Sequence, residues 1–286
     1  MPDPSPLPLV VIIVEAGCWL TGLILLWRLI AGHLGPRLAA LAPWPVSLEG
    51  FFTGALIVAG CAWLLPQIPA ALSDEILGPA AHDNDWWVMI QGAAFQLGML
   101  GGALLAGLYL RRQLRRATPP ADPRALPPTV TPPTARPMLA GVVTFLISIP
   151  LISSIGLAWK ALMDWFGFPT GEQEMIDLFR NADDPALLAF MILLAAVIAP
   201  ITEELIFRAG LFRYLRTRVS RGFALVIPAL LFGLLHGNLV ALLPIFALGL
   251  FFSLAYERTG RIAVPMIAHA LFNLRTIVLA MTGVTG

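Results

Sequence analysis

Apolar residues along the chain come in long unbroken blocks separated by short polar stretches, not in the alternating or striped patterns of half-buried elements. Eight blocks read as helices: residues 8–30, 51–72, 86–110, 139–159, 186–208, 223–235, 239–256 and 262–281. A bilayer core takes about 20 residues of α-helix, which most of these supply. The sixth block is short and crosses or enters the bilayer only together with His236 and the residues before it. The pattern predicts an all-α fold, a polytopic transmembrane helix bundle of about eight spans.

Composition agrees, with 58% hydrophobic and 12% charged residues and a mean hydropathy of +0.82, more apolar surface than a soluble domain of this length can use. A net charge of +1 provides no field for nucleic acid. Cys18 and Cys61 sit in apolar blocks, form no metal-spaced pair and indicate no disulfide framework. Met1-Pro2-Asp3-Pro4 supplies no basic leader, so the first block reads as a retained anchor.

Basic residues follow every second block: Arg111, Arg112, Arg115 and Arg116, then Arg213, Arg216, Arg218 and Arg221, then Arg258 and Arg261. The alternate loops carry Asp74, Glu75, Asp83 and Asp85, and Glu172, Glu174, Asp177, Asp183 and Asp184. Lys and Arg concentrate on the cytoplasmic side, so eight spans with both termini outside fit throughout, and Trp86, Trp87, Trp159 and Trp165 fall in an outer aromatic belt. The Ala-, Leu- and Pro-rich composition hints at a bacterial inner (plasma) membrane. Residues 117–137, with three Pro-Pro pairs, read as an extended cytoplasmic linker. It divides three N-terminal spans of unassigned role (1–116) from a five-span domain (138–286).

Ionisable groups inside such blocks cost roughly 2.5–3.5 kcal/mol each at mid-helix and so mark functional sites. Three clusters stand out: Glu203-Glu204-x-x-x-Arg208, Phe232-x-x-x-His236 and His269-x-x-x-Asn273. At about 1.5 Å of rise per residue, Glu204 lies ~14 Å from Arg213, His236 ~22 Å from Arg221, and His269 and Asn273 ~12 and ~18 Å from Arg261, so the clusters overlap in depth. Residues at i and i+4 share a helix face, which lets Glu204 pair with Arg208, Phe232 pack beside His236, and His269 and Asn273 point into one cavity. Adjacent Glu203 and Glu204 diverge by about 100° and take different roles. Pro200, just upstream, cannot donate to the carbonyl of Ala196 and kinks the span or opens room for water.

This set suits peptide-bond hydrolysis in a cavity inside the bilayer. A desolvated carboxylate beside an imidazole can take a proton from water, and imidazole and amide donors can hold an oxyanion. The expected assignment is Glu203 with His236 activating water, His269 with Asn273 stabilising the oxyanion, and Glu204 with Arg208 as an orienting pair. No cofactor is required in this reading. Glu203 and the two histidines could also hold Zn²⁺ as a His₂Glu set, although the chain lacks an H-E-x-x-H helix and the ligands would come from three spans.

In order and spacing, the three clusters resemble the signature of the CPBP (CAAX prenyl endopeptidase, Abi, bacteriocin-processing) family of intramembrane proteases: E-E-x-x-x-R, F-x-x-x-H and H-x-x-x-N/D. The resemblance covers roughly residues 139–281 and implies a helical bundle with a cavity open to the cytoplasmic side. It also implies a membrane-associated protein or peptide substrate, with the bilayer as the other partner. Relatives of eukaryotic type trim prenylated C-a-a-X proteins, whereas prokaryotic ones are linked to bacteriocin maturation or immunity, peptide signalling and sorting-segment trimming. The sequence selects none of these and leaves the oligomeric state open.

Two other classes compete. A secondary transporter also places polar groups at midplane, but it predicts an internal repeat, and no counterpart of the Glu-Glu segment stands in the N-terminal half. A non-catalytic immunity or scaffold protein would use Glu203, Glu204 and Arg208 as a structural ion network. Glu15 is an intramembrane acid without an obvious partner and takes no role here. His33 and His82 fall in loops, and Gln91 and Gln96 read as interhelical hydrogen-bonding residues.

Overall fold

The computed structural model describes residues 7–33, 41, 44–76, 85–117, 136–170 and 174–284. The expected Pro-rich linker falls almost wholly on residues 118–135, outside the described residues, as do His82 and Asp83. Among the described residues, twelve α-helical segments follow one another: α1 (Leu7–Ile30), α2 (Leu48–Leu64), α3 (Gln67–Ile76), α4 (Asp85–Ala117), α5 (Pro137–Trp165), α6 (Glu174–Asn181), α7 (Pro185–Leu193), α8 (Ala199–Glu204), α9 (Arg213–Arg216), α10 (Arg221–Leu235), α11 (Leu239–Thr259) and α12 (Ala263–Thr282). Two π-helical stretches, Leu194–Ile198 and Leu205–Phe212, join α7, α8 and α9 into one rod.

Among the described residues, seven helices are long and apolar enough to cross a membrane, and the shorter apolar α10 accompanies them. At 15 residues, α10 is ~22 Å long, short of a ~30 Å hydrocarbon core. His236 therefore lies just past its end and is exposed, where the sequence pattern placed it on a span. Helix starts follow local chemistry: Ser47, Asp184 and Asn238 each accept a backbone N–H from the first turn of α2, α7 and α11. Gly260 and Gly283 end α11 and α12 in the left-handed conformation.

The centre of the bundle is built by α5, α11 and α12, with Ile152, Leu248, Phe252 and Ala268 at their common seam. α10 packs on α11, α1 on α5 and α12, and α2 pairs with α4. Large apolar side chains face outward all around, including Ile13, Leu56, Leu105, Leu139 and Leu157, as lipid contact requires.

Glu15 proves to have a partner 260 residues away. Arg275 Nε on α12 donates to its Oε1 at 2.9 Å and Oε2 at 3.0 Å, Nη2 also bonds Oε1, and Ser153 Oγ lies 3.5 Å from Nη2. This bidentate pair secures α1 to the centre and corrects the expectation that Glu15 stands alone. Neutralising one partner strands the other charge, and the side chains are only 20% and 16% exposed. Glu15→Gln is expected to cost on the order of 2 kcal/mol, and Glu15→Gln with Arg275→Met to recover most of it, read as thermal unfolding midpoints in detergent.

Candidate active site

The fifth span reads as one apolar block but changes register twice around its two carboxylates. π-helical insertions widen a helix locally and occur frequently at functional sites. The first has a readable cause. Ala199 N–H bonds to the carbonyl of Leu194, five residues back, and the next donor in that register is Pro200, which has no N–H. The carbonyl of Ala195 is filled from another helix instead: Asn273 Nδ2 of α12 donates to it at 2.8 Å. Asn273 thus ties α12 to the rod about two turns before Glu203, and one of its two amide hydrogens remains for another acceptor.

Beyond Pro200 the two glutamates face different surroundings. Glu204 is fully buried, and its Oε1 accepts from Arg208 Nη1 at 2.8 Å and lies 3.0 Å from His269 Nδ1. Glu203 is 16% exposed, with Oε2 3.7 Å from His269 Nε2. One imidazole therefore stands between both carboxylates, on a helix distant in sequence.

Arg208, 1% exposed, is held from every side. Its Nη2 donates to the carbonyl of Gly249 on α11 at 3.2 Å, and its guanidinium carbon lies 4.5 Å from the ring centre of Phe232, 5.5 Å from Phe252 and 6.0 Å from Phe207. Such ring faces attract a cation most strongly when water is absent. Gly249 is required for this approach: a Cβ there would sit 3.0 Å from Ala229 Cα and 3.4 Å from Arg208 Nη2. The result is a continuous line from the Gly249 carbonyl through Arg208, Glu204 and His269 to Glu203.

Phe232 joins the second histidine to this line. Its ring meets His236 edge-on at 4.9 Å and His269 at 5.8 Å. His236 Nδ1 lies 2.8 Å from the Phe232 carbonyl, a fixed contact that leaves Nε2 free for chemistry among the described residues. Phe252 packs on His269 from the other side at 5.2 Å.

Glu203, Glu204, Arg208 and His269 thus converge, Asn273 reaches the same rod about two turns earlier, and the Phe232 ring contacts both His236 and His269. The imidazole next to Glu203 is His269. Among the described residues, no three His, Cys, Asp or Glu side chains gather at metal-ligand spacing. Sequence reasoning missed Gly249 and Phe252, which carry no ionisable group; a glycine within an otherwise bulky apolar helix is the only trace of the first.

Similarity to known proteins covers the segment of chain that holds these residues. Residues 185–275 match the family model described as Type II CAAX prenyl endopeptidase Rce1-like. A Bacillus subtilis protein provisionally named as a membrane peptidase, YdiL, is 36% identical over 91 residues, 32% of this chain and 37% of that protein. The membrane-embedded CAAX protease MroQ of Staphylococcus aureus is 33% identical over 92 residues, 30% of this chain and 37% of its own. An uncharacterized Mycoplasma capricolum protein is 31% identical over 96 residues, 32% of this chain and 28% of its own length. The similarity therefore spans between 28% and 37% of these relatives' lengths. No solved structure gives a match.

Proposed function

We propose, from the match of residues 185–275 to the type II CAAX prenyl endopeptidase Rce1-like family model, that the chain is an intramembrane endopeptidase hydrolysing a peptide bond of a membrane-associated protein or peptide. The observation that carries this reading is the buried Arg208–Glu204–His269 line ending 3.7 Å from Glu203, the one carboxylate of the group that keeps some exposure.

In the proposed reaction water lies against Glu203, with His236 Nε2 assisting from the open end of α10. Glu203 takes a proton as the water oxygen attacks the scissile carbonyl carbon. The carbonyl oxygen, now negative, turns to His269 Nε2–H and the remaining amide hydrogen of Asn273. In this role His269 donates from both nitrogens, to Glu204 through Nδ1 and to the oxyanion through Nε2. Glu203, Glu204, Arg208 and an imidazolium then sum to zero charge, which suits a site walled by three phenylalanines. Collapse of the tetrahedral intermediate returns the proton from Glu203 to the leaving amine.

The basic ends of α9, α10 and α11 support a cytoplasmic assignment for their shared face. There Arg216 and Arg221 both bond Glu257, at 2.6 and 2.8 Å. Both termini then lie outside a bacterial inner membrane, and the five-span domain at 138–286 opens its cavity to the cytoplasm.

The test compares membrane-protein termini in cells making the wild-type chain or Glu203→Gln at equal folded abundance. New termini confined to wild type are the expected result; identical sets would favour a transporter or scaffold. Chelators are expected to leave cleavage unchanged, and loss restored by Zn²⁺ would replace the glutamate mechanism with a metal-dependent one.

A further inference from the structure

The rod that carries both glutamates is gripped at each end by helices outside residues 185–275. At its start, Trp86 Nε1 of α4 donates to Asp184 Oδ2 at 3.0 Å, and the Trp86 ring stacks on Phe190 at 6.0 Å. Met89, one turn on, is buried against Leu187 and Met191. Asp184 also caps α7 through Ala186 N–H, and that bond, followed by the Trp86 indole, holds its carboxyl below the usual range.

At the other end, Phe51 of α2 lies flat on Tyr214 with ring centres 3.8 Å apart and 14° between planes. Arg218 stacks on the opposite partner of that pair, 3.8 Å from the Tyr214 ring, and its Nη2 bonds the carbonyl of Val46. Leu110 of α4 is buried in the same cluster as Val46 and Tyr214.

The two grips belong to one object. α4 supplies Met89 to the first and Leu110 to the second, ~31 Å apart along its axis, about one membrane core. α2 is locked to α4 by close backbone contact: a Cβ on Gly98 would lie 2.4 Å from the Cys61 carbonyl oxygen. Both π-helical stretches lie between the grips. A π register is easily exchanged for α by rotating the residues beyond it, and such a rotation would swing Glu203 away from His269.

We propose that the α2–α4 pair is a brace that fixes the rotational register of the 185–216 rod, with Trp86 and Phe51 as positioning residues for Glu203 and Glu204. This gives the second and third spans a role, and it rests on the reading that the glutamates are the working site.

Amide hydrogen exchange of the full chain in lipid nanodiscs tests the brace directly. Trp86→Leu and Phe51→Leu each remove an aromatic contact worth about 0.5–1.5 kcal/mol, so exchange across 194–212 is expected to quicken roughly three- to tenfold while 239–282 stays as in wild type. Phe51→Tyr, which keeps a ring on Tyr214, is expected to restore wild-type exchange. Unchanged exchange at 194–212, or an equal rise throughout, would overturn the proposal. Because the readout is the helix itself, the same comparison in a Glu203→Gln background separates failure of the brace from failure of the peptidase reading.

Discussion

Glu203→Gln is expected to lower hydrolysis at least a hundredfold in a chain that folds normally, whereas Glu204→Gln, one residue on, is expected to fail by losing the fold. The two substitutions are chemically the same, and only the surroundings differ. Glu203 keeps 16% exposure and its nearest partner is at 3.7 Å, so an amide there leaves the Arg208–Glu204 pair intact. It does remove the proposed base, and a positioned general base contributes typically about 10²–10⁴ in rate. Glu204 is fully buried and is the counter-charge of a guanidinium 1% exposed. Replacing it leaves Arg208 uncompensated among three phenylalanine rings, a change that costs about 3–5 kcal/mol in buried pairs. That is a large part of the 5–15 kcal/mol typical of a folded domain. Thermal unfolding of each variant, with cleavage rate measured per folded molecule, separates the two effects. A stable Glu204→Gln chain with wild-type unfolding would show that Arg208 finds its compensation elsewhere. A Glu203→Gln chain that cleaves at the wild-type rate would remove Glu203 from the chemistry.

The helices were legible because lipid leaves so few options: every backbone group must be satisfied within the span, and the outward side chains must be apolar. The i, i+4 pairing of Glu204 with Arg208 was legible for the same local reason, and the two groups meet at 2.8 Å. Depth arithmetic brought His269 to the level of Glu204, but it says nothing of rotation about a helix axis. That rotation decides which imidazole reaches Glu203, and it depends on how α10, α11 and the rod pack. The π register at Leu194–Ile198 is likewise a tertiary product: Pro200 withholds a donor, and only Asn273, from a helix far along the chain, makes the vacancy tolerable. Glu15 looked solitary because its partner stands 260 positions on. Gly249 and Phe252 escaped notice because their contribution is a carbonyl, a missing Cβ and a ring face, none of which announces itself among so many apolar residues.

The two histidines provide the second large contrast. His269 is 3% exposed, bonded to Glu204 through Nδ1 and packed between Phe232 and Phe252. His269→Ala removes a charge-assisted hydrogen bond worth about 1.5–3 kcal/mol and leaves a void beside two rings, so a marked fall in unfolding temperature is expected. With it goes the proposed oxyanion donor, of the kind whose loss costs about 10²–10³ in rate. His236 is exposed and sits past the end of α10, and among the described residues its hydrogen-bond contact is the carbonyl of its own helix's Phe232. His236→Ala is therefore expected to change stability by no more than about 0.5–1 kcal/mol while lowering the rate by about 10²–10⁴, the signature of a residue held for chemistry alone. Unfolding midpoints and rates for both variants in the same detergent decide the matter. If His236→Ala cleaves at the wild-type rate, water activation falls to Glu203 and the imidazole already 3.7 Å from it. His269 would then act as base partner, its Nδ1–H fixed on Glu204 and its Nε2 lone pair turned to the water, and the oxyanion would be left to Asn273.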